Sequence, residues 1–149
     1  MRFVKFVFLL LVATAAYFAP PSVVWAGDSA KGAYIFKAAG CANCHTDPGK
    51  KGKNARPKGD PLAGGRPLKT PFGTFYTPNI TPSEAGMGAW SFADFQRAMI
   101  KGVAPSGAPY YPAFPYTSYT GMTTADLEGL WTYLKSQKEA DRANQSHEL

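Results

Sequence analysis

Cys41-Ala42-Asn43-Cys44-His45 decides how the rest of the chain is read. C-x-x-C-H is the attachment signature of a c-type haem. Two thiols three positions apart can each form a thioether to a vinyl-derived carbon of one porphyrin. A histidine directly after the second thioether is then held under the iron as its proximal nitrogen ligand. The motif therefore assigns Cys41 and Cys44 as covalent anchors and His45 as an axial ligand. The chain has two cysteines, both in this motif, which predicts one haem c and no structural disulfide. A redox dithiol would follow a strand in a βαβ pattern, and none is visible. A four-coordinate zinc site would need two further ligands, and the one other histidine, His147, lies in a polar tail.

Upstream of the motif, Arg2 and Lys5 precede the apolar run Phe6-Val7-Phe8-Leu9-Leu10-Leu11-Val12-Ala13, and Val24-Trp25-Ala26 precedes Gly27-Asp28. A basic start, a short apolar core and a small residue at the cut predict a secretory signal peptide over residues 1–26. The alternative is an uncleaved membrane anchor over 4–18, since Lys5 alone interrupts that stretch. Cleavage after Ala26 would leave 123 residues and lower the net charge from +6 to +4. So short a chain has a thin apolar core of its own, and a buried porphyrin would make up the deficit. Export to the periplasm agrees with the site of haem attachment in bacteria, and it argues against a nucleic-acid partner.

Asp28 is an N-cap for a predicted helix over 29–39 that runs into the motif, with Ala33 and Phe36 on its apolar face. Gly32 inside that helix implies close approach by another element. The expected partner is a last helix capped by Thr123 or Thr124, carrying Leu127, Leu130, Trp131 and Leu134 on one stripe, with Trp131 or Tyr133 pressing on Gly32. A second clear helix follows Trp90, with Ser91 as cap, Asp94 completing a capping box and Gly102 as stop.

Between these helices the chain is irregular. Residues 49–59 hold Lys50, Lys51, Lys53, Arg56 and Lys58 among glycines and proline, read as a solvated loop or as a surface that steers an acidic partner. Residues 64–82 contain four prolines and cannot be helical; a short extended pair around Phe72-Gly73 is allowed. Thr77, Asn79 and Thr81 there suit hydrogen bonds to haem propionates or to local turns. Residues 103–122 are rich in proline and tyrosine, a packed loop apolar enough to line a haem face.

The phrases Gly40-Cys41-Ala42-Asn43-Cys44-His45-Thr46, Thr70-Pro71-Phe72-Gly73-Thr74, Pro78-Asn79-Ile80-Thr81-Pro82, Trp90-Ser91-Phe92-Ala93-Asp94-Phe95 and Tyr111-Pro112-Ala113-Phe114-Pro115-Tyr116 carry a wider resemblance. Over residues 27–149 the chain resembles a class I cytochrome c domain. The likeness is greatest to the cytochrome c domains in subunits of periplasmic alcohol and gluconate dehydrogenases. The resemblance implies an all-α fold of short helices and Pro-rich loops around one haem, with a distal methionine. Many relatives have Met where this chain has Phe114, which cannot ligate iron; those with Phe there tend to carry Met just before the last helix, matching Met122. Met122 is accordingly the expected sixth ligand, with Met87 and Met99 as alternatives. Met99 reads as a core residue, and Met87, between Gly86 and Gly88, reads as mobile.

The function expected is that of an electron carrier and not an enzyme. With His and Met both bound, iron would change oxidation state without binding substrate. The expected partners are redox proteins: a periplasmic dehydrogenase, an oxidase or another respiratory complex, met by a monomer. The alternatives are a haem enzyme with an open sixth position, and a subunit permanently docked to a dehydrogenase.

Overall fold

The computed structural model describes residues 28–53, 55 and 57–149. The expected signal peptide, 1–26, lies outside the described residues, as does Arg56 of the basic loop.

Among the described residues are four α-helices, α1 Ser29–Ala38, α2 Cys41–His45, α3 Phe92–Lys101 and α4 Thr124–Lys135, all but α2 started by a side-chain cap. Asp28 caps α1 by accepting hydrogen bonds from the Ala30 and Lys31 amides at 2.9 and 3.2 Å. Reciprocal capping boxes start α3 (Ser91 with Asp94) and α4 (Thr123 with Asp126), each satisfying two otherwise orphaned amides.

The crossing of α1 over α4 is the tightest contact between helices. A Cβ added at Gly32 would lie 2.0 Å from the Gly129 carbonyl oxygen and 3.0 Å from Tyr133 Cβ. Gly32 therefore admits the backbone of Gly129, not the bulk of Trp131, and the Tyr133 ring packs beside it on Phe36 at 5.1 Å. The core gathers under this crossing. Leu127 and Leu130 are 0% and 1% exposed, and Leu62, Phe95, Met99 and Leu134 pack with them.

The all-α expectation needs correcting. Strand β1 Pro67–Thr70 pairs antiparallel with β2 Gly73–Tyr76, joined by Pro71-Phe72. Proline keeps this stretch out of helix, while Thr74, Phe75 and Tyr76 suit a half-buried strand. Glu148 also joins β2: the Thr74 amide donates to the Glu148 carbonyl at 2.7 Å, and the Glu148 amide donates back at 3.0 Å. The segment 136–149 thus returns from α4 to the hairpin.

Buried side chains guide that return. Asn79 donates to the Ala140 and Arg142 carbonyls at 2.8 and 3.1 Å, Ser83 donates to Ala140 at 2.9 Å, and the Asn79 amide donates to Asn144 Oδ1 at 2.7 Å. Asn79 Oδ1 also accepts from the Thr81 hydroxyl. Asn79 and Thr81, expected at haem propionates or local turns, are spent on the turn and this tail.

Candidate functional site

Helix α2 is one short turn entered through Gly40, and it brings Cys41, Cys44 and His45 to the wall of a single cleft. The His45 ring is aimed by its Nδ1–H, which donates to the Pro78 carbonyl at 2.8 Å. That bond fixes the tautomer and leaves the Nε2 lone pair for a metal. Burial lowers the His45 pKa, with the Pro78 bond opposing, so the ring is held in the neutral form that ligates.

Pro78 is held in place by residues 62–65, which run between α2 and the segment after β2. The Gly64 amide donates to the His45 carbonyl at 2.8 Å, Gly65 to Thr77 at 2.7 Å, and Ile80 to Leu62 at 2.9 Å. Gly64 has φ of +69°, and a Cβ there would lie 2.4 Å from the Pro78 carbonyl carbon. Only glycine permits this approach.

The hairpin, α3, the loop after it and α4 complete the cleft. The hairpin gives Leu68 and Phe75, α3 gives Phe95, Ala98 and Met99, the loop after it gives Tyr110, Phe114 and Tyr119, and α4 gives Leu130 and Leu134. No Asp, Glu, Lys or Arg is among the described lining residues. Burial pushes the Cys41 thiol up to about 11, which opposes the reactive thiolate that a redox dithiol needs. An apolar cleft with two thiols on one helical turn and a neutral, oriented imidazole fits a covalently attached haem.

The methionines fall differently from expectation. Met87 is 3% exposed, and its amide donates to the Thr81 carbonyl at 2.8 Å. Its carbonyl accepts from Lys135 Nζ, so it is packed where the flanking glycines suggest mobility. Met87 and Met99 both line the cleft. Met122 is half-buried against the core, with its amide on the Tyr119 carbonyl at 3.0 Å, and it is not among the lining residues. The turn ending at Met122 puts Tyr119, not Met122, at the cleft.

The structure also adds residues that no sequence signal marks. Asn144, Gln145 and His147 line the cleft. Two amides and a histidine in a polar tail carry no periodicity and no motif; the Asn79 network and the pairing of Glu148 with Thr74 bring them there.

The family model for cytochrome c matches residues 29–138. A protein described as diheme cytochrome c-type from Cereibacter sphaeroides is 42% identical over 124 residues, which cover 83% of this chain and 40% of that protein. The gluconate 2-dehydrogenase cytochrome c subunit of Pantoea cypripedii is 41% identical over 104 residues, 69% of this chain and 22% of that subunit. The cytochrome c subunit of the quinone-type alcohol dehydrogenase of Gluconacetobacter polyoxogenes is 38% identical over 130 residues, 85% of this chain and 25% of that subunit. The chain thus spans less than half the length of each.

Proposed function

The chain belongs to the cytochrome c family, and from that premise we propose that it carries single electrons through one haem c in the periplasm. The observation that supports this most is the convergence of Cys41, Cys44 and His45 in one apolar cleft, with His45 oriented by Pro78. Cys41 and Cys44 anchor the porphyrin, His45 Nε2 holds the iron, and the aromatic wall excludes water. The haem supplies the one-electron iron couple. The residues keep it dry and fixed, so little reorganises as charge changes.

For the sixth position we propose a methionine sulfur. Met122 is the residue favoured by the family resemblance, and using it requires the 119–122 turn to shift. Met99 is favoured by the cleft, since it already lines the wall on α3. Single Met→Ala variants at 87, 99 and 122 decide the matter: the true ligand is the one whose loss removes the sulfur-to-iron absorption band and opens the iron to carbon monoxide.

The exposed Lys50, Lys51, Lys53 and Lys58 follow the haem motif directly in sequence. We read them as the face that meets an acidic redox partner. That partner would be a dehydrogenase, an oxidase or another respiratory complex, met by diffusion and not in a permanent complex.

The decisive experiment is a redox titration of purified holoprotein with a visible spectrum. A one-electron couple with no rapid binding of carbon monoxide or cyanide is expected. Fast binding to resting iron would replace the carrier with a haem enzyme, and co-purification with a dehydrogenase at high salt would replace it with a docked subunit. N-terminal sequencing of the periplasmic form tests cleavage after Ala26.

A further inference from the structure

A haem presents two carboxylates, yet the described residues lining this cleft include no Lys or Arg to meet them. Several of the polar groups present are already engaged. His45 Nδ1 is bound to Pro78, Tyr76 donates its hydroxyl to Glu148 Oε1 at 2.8 Å, and Asn144 bridges the Asn79 amide and the Ala85 carbonyl. His147 is engaged on one ring nitrogen. Its Nδ1 accepts the Tyr76 amide at 3.2 Å, so the ring proton sits on Nε2, which is left as a donor.

The ring is also positioned. It packs edge-on against Phe75 at 5.2 Å and against Tyr111 at 5.4 Å, and the next residue is bridged to Thr74. Upstream, the Asn79 and Ser83 bonds to the 140–144 stretch pin the tail. His147 is exposed while lining the cleft, which sets it at the mouth, where a polar edge of a bound group would emerge.

We propose that the tail 140–148 forms a carboxylate-binding subsite of the haem cleft, with His147 Nε2–H as its hydrogen-bond donor. The inference rests on the covalent-haem reading and goes beyond it, because this segment lies outside the part of the chain that the family model matches. A donor on a haem carboxylate withdraws negative charge from the iron's surroundings and so favours the reduced state.

The test compares holoprotein carrying His147→Leu, which has no donor, with His147→Gln, which retains an N–H. His147→Leu should weaken electron affinity about threefold against a fixed reference couple, about 28 mV at 59 mV per decade for one electron. It should also shift the resonance Raman propionate-bending mode, with the sulfur-to-iron band unchanged. His147→Gln should return both readouts most of the way. An unmoved potential and Raman mode in His147→Leu, or equal shifts in both variants, would overturn the subsite. Absence of the sulfur-to-iron band from the parent, with carbon monoxide binding opened in His147→Leu, would overturn it in favour of His147 as an iron ligand. A haem-stained band from the unmodified protein on a denaturing gel tests attachment separately, so failure of the subsite is distinguishable from failure of the haem reading.

Discussion

The α1/α4 crossing and the cleft are built on opposite principles. At the crossing, Gly32 and Gly129 let two backbones meet, and the core under them is filled by the chain's own leucines. At the cleft, aromatic and methionine side chains from β2, α3 and the loops, joined by Leu130 and Leu134 of α4, face one shared space. The first region completes itself, whereas the second is a wall whose apolar surface is covered only when a large flat apolar group occupies it. The stability of so small a chain is divided accordingly. The crossing supplies a scaffold that the sequence alone can close, and the cleft draws its share from the cofactor.

The largest effect should follow from emptying the cleft for good. Cys41→Ala with Cys44→Ala should abolish haem staining on a denaturing gel. It should also remove several kcal/mol from a net stability that for domains of this size is about 5–15 kcal/mol. The contrast between the two regions fails if the double variant keeps a cooperative thermal transition near that of the parent holoprotein.

Next comes the crossing. Gly32→Ala forces a Cβ to within 2.0 Å of the Gly129 oxygen, and the helices must part. Overpacking of this kind costs about 1–3 kcal/mol. Gly129→Ala meets the Asp28 carbonyl oxygen at 3.0 Å and should cost less. Thermal denaturation of the two holoproteins should rank them in that order while the haem spectrum stays unchanged. The reverse order would mean that the helices are not in contact as described.

Asn79 joins the two regions, because it holds the tail to the segment behind His45's partner Pro78. Asn79→Ala leaves the Ala140 and Arg142 carbonyls short of a buried donor, a loss of about 1–3 kcal/mol. Proteolysis should then cut the 140–149 stretch first, before the crossing opens. Simultaneous loss of both would show that the tail is part of the crossing's cooperative unit.

What is legible in the sequence follows the same division. The helices can be read because caps and stripes are local: Asp28, Ser91, Thr123, Gly102 and the Leu127–Leu130–Leu134 face each act within a few residues. C-x-x-C-H is legible because its chemistry needs that spacing on one turn. Of the two aromatics its neighbourhood suggests, Tyr133 and not Trp131 reaches Gly32, and the nearest group is the Gly129 backbone, which is not legible because a glycine opposite a glycine gives no hydrophobic signal. The two-stranded hairpin is visible only as an allowance. The methionine placement and His147's arrival at the cleft rest on separations such as Tyr76 to His147, across which neither propensity nor period carries information.

The smallest expected effect compares the caps of α3 and α4, one in each region. The Ser91 side chain, then its backbone amide, hold the Asp94 carboxyl below its ordinary value, with Arg97 contributing. The Lys31 side chain and then Thr123 do the same for Asp126. A carboxyl depressed in the folded state adds stability above its unfolded value, here 3.8 for both, and loses it as pH falls through the lower folded value. Both contributions should therefore be intact at neutral pH and fade below about pH 4. Asp126→Asn should lower the thermal midpoint at pH 7 more than Asp94→Asn, because Asp126 also reaches across to Lys31 on α1 at 2.5 Å, while Asp94 pairs with Arg97 on its own helix. Both carboxyls are at the surface, so solvent screening keeps the two shifts modest. Each variant should converge on the parent as pH drops below the carboxylate range. A larger loss for Asp94→Asn would place the electrostatic support on the cleft side and reverse the assignment of the crossing as the self-sufficient half.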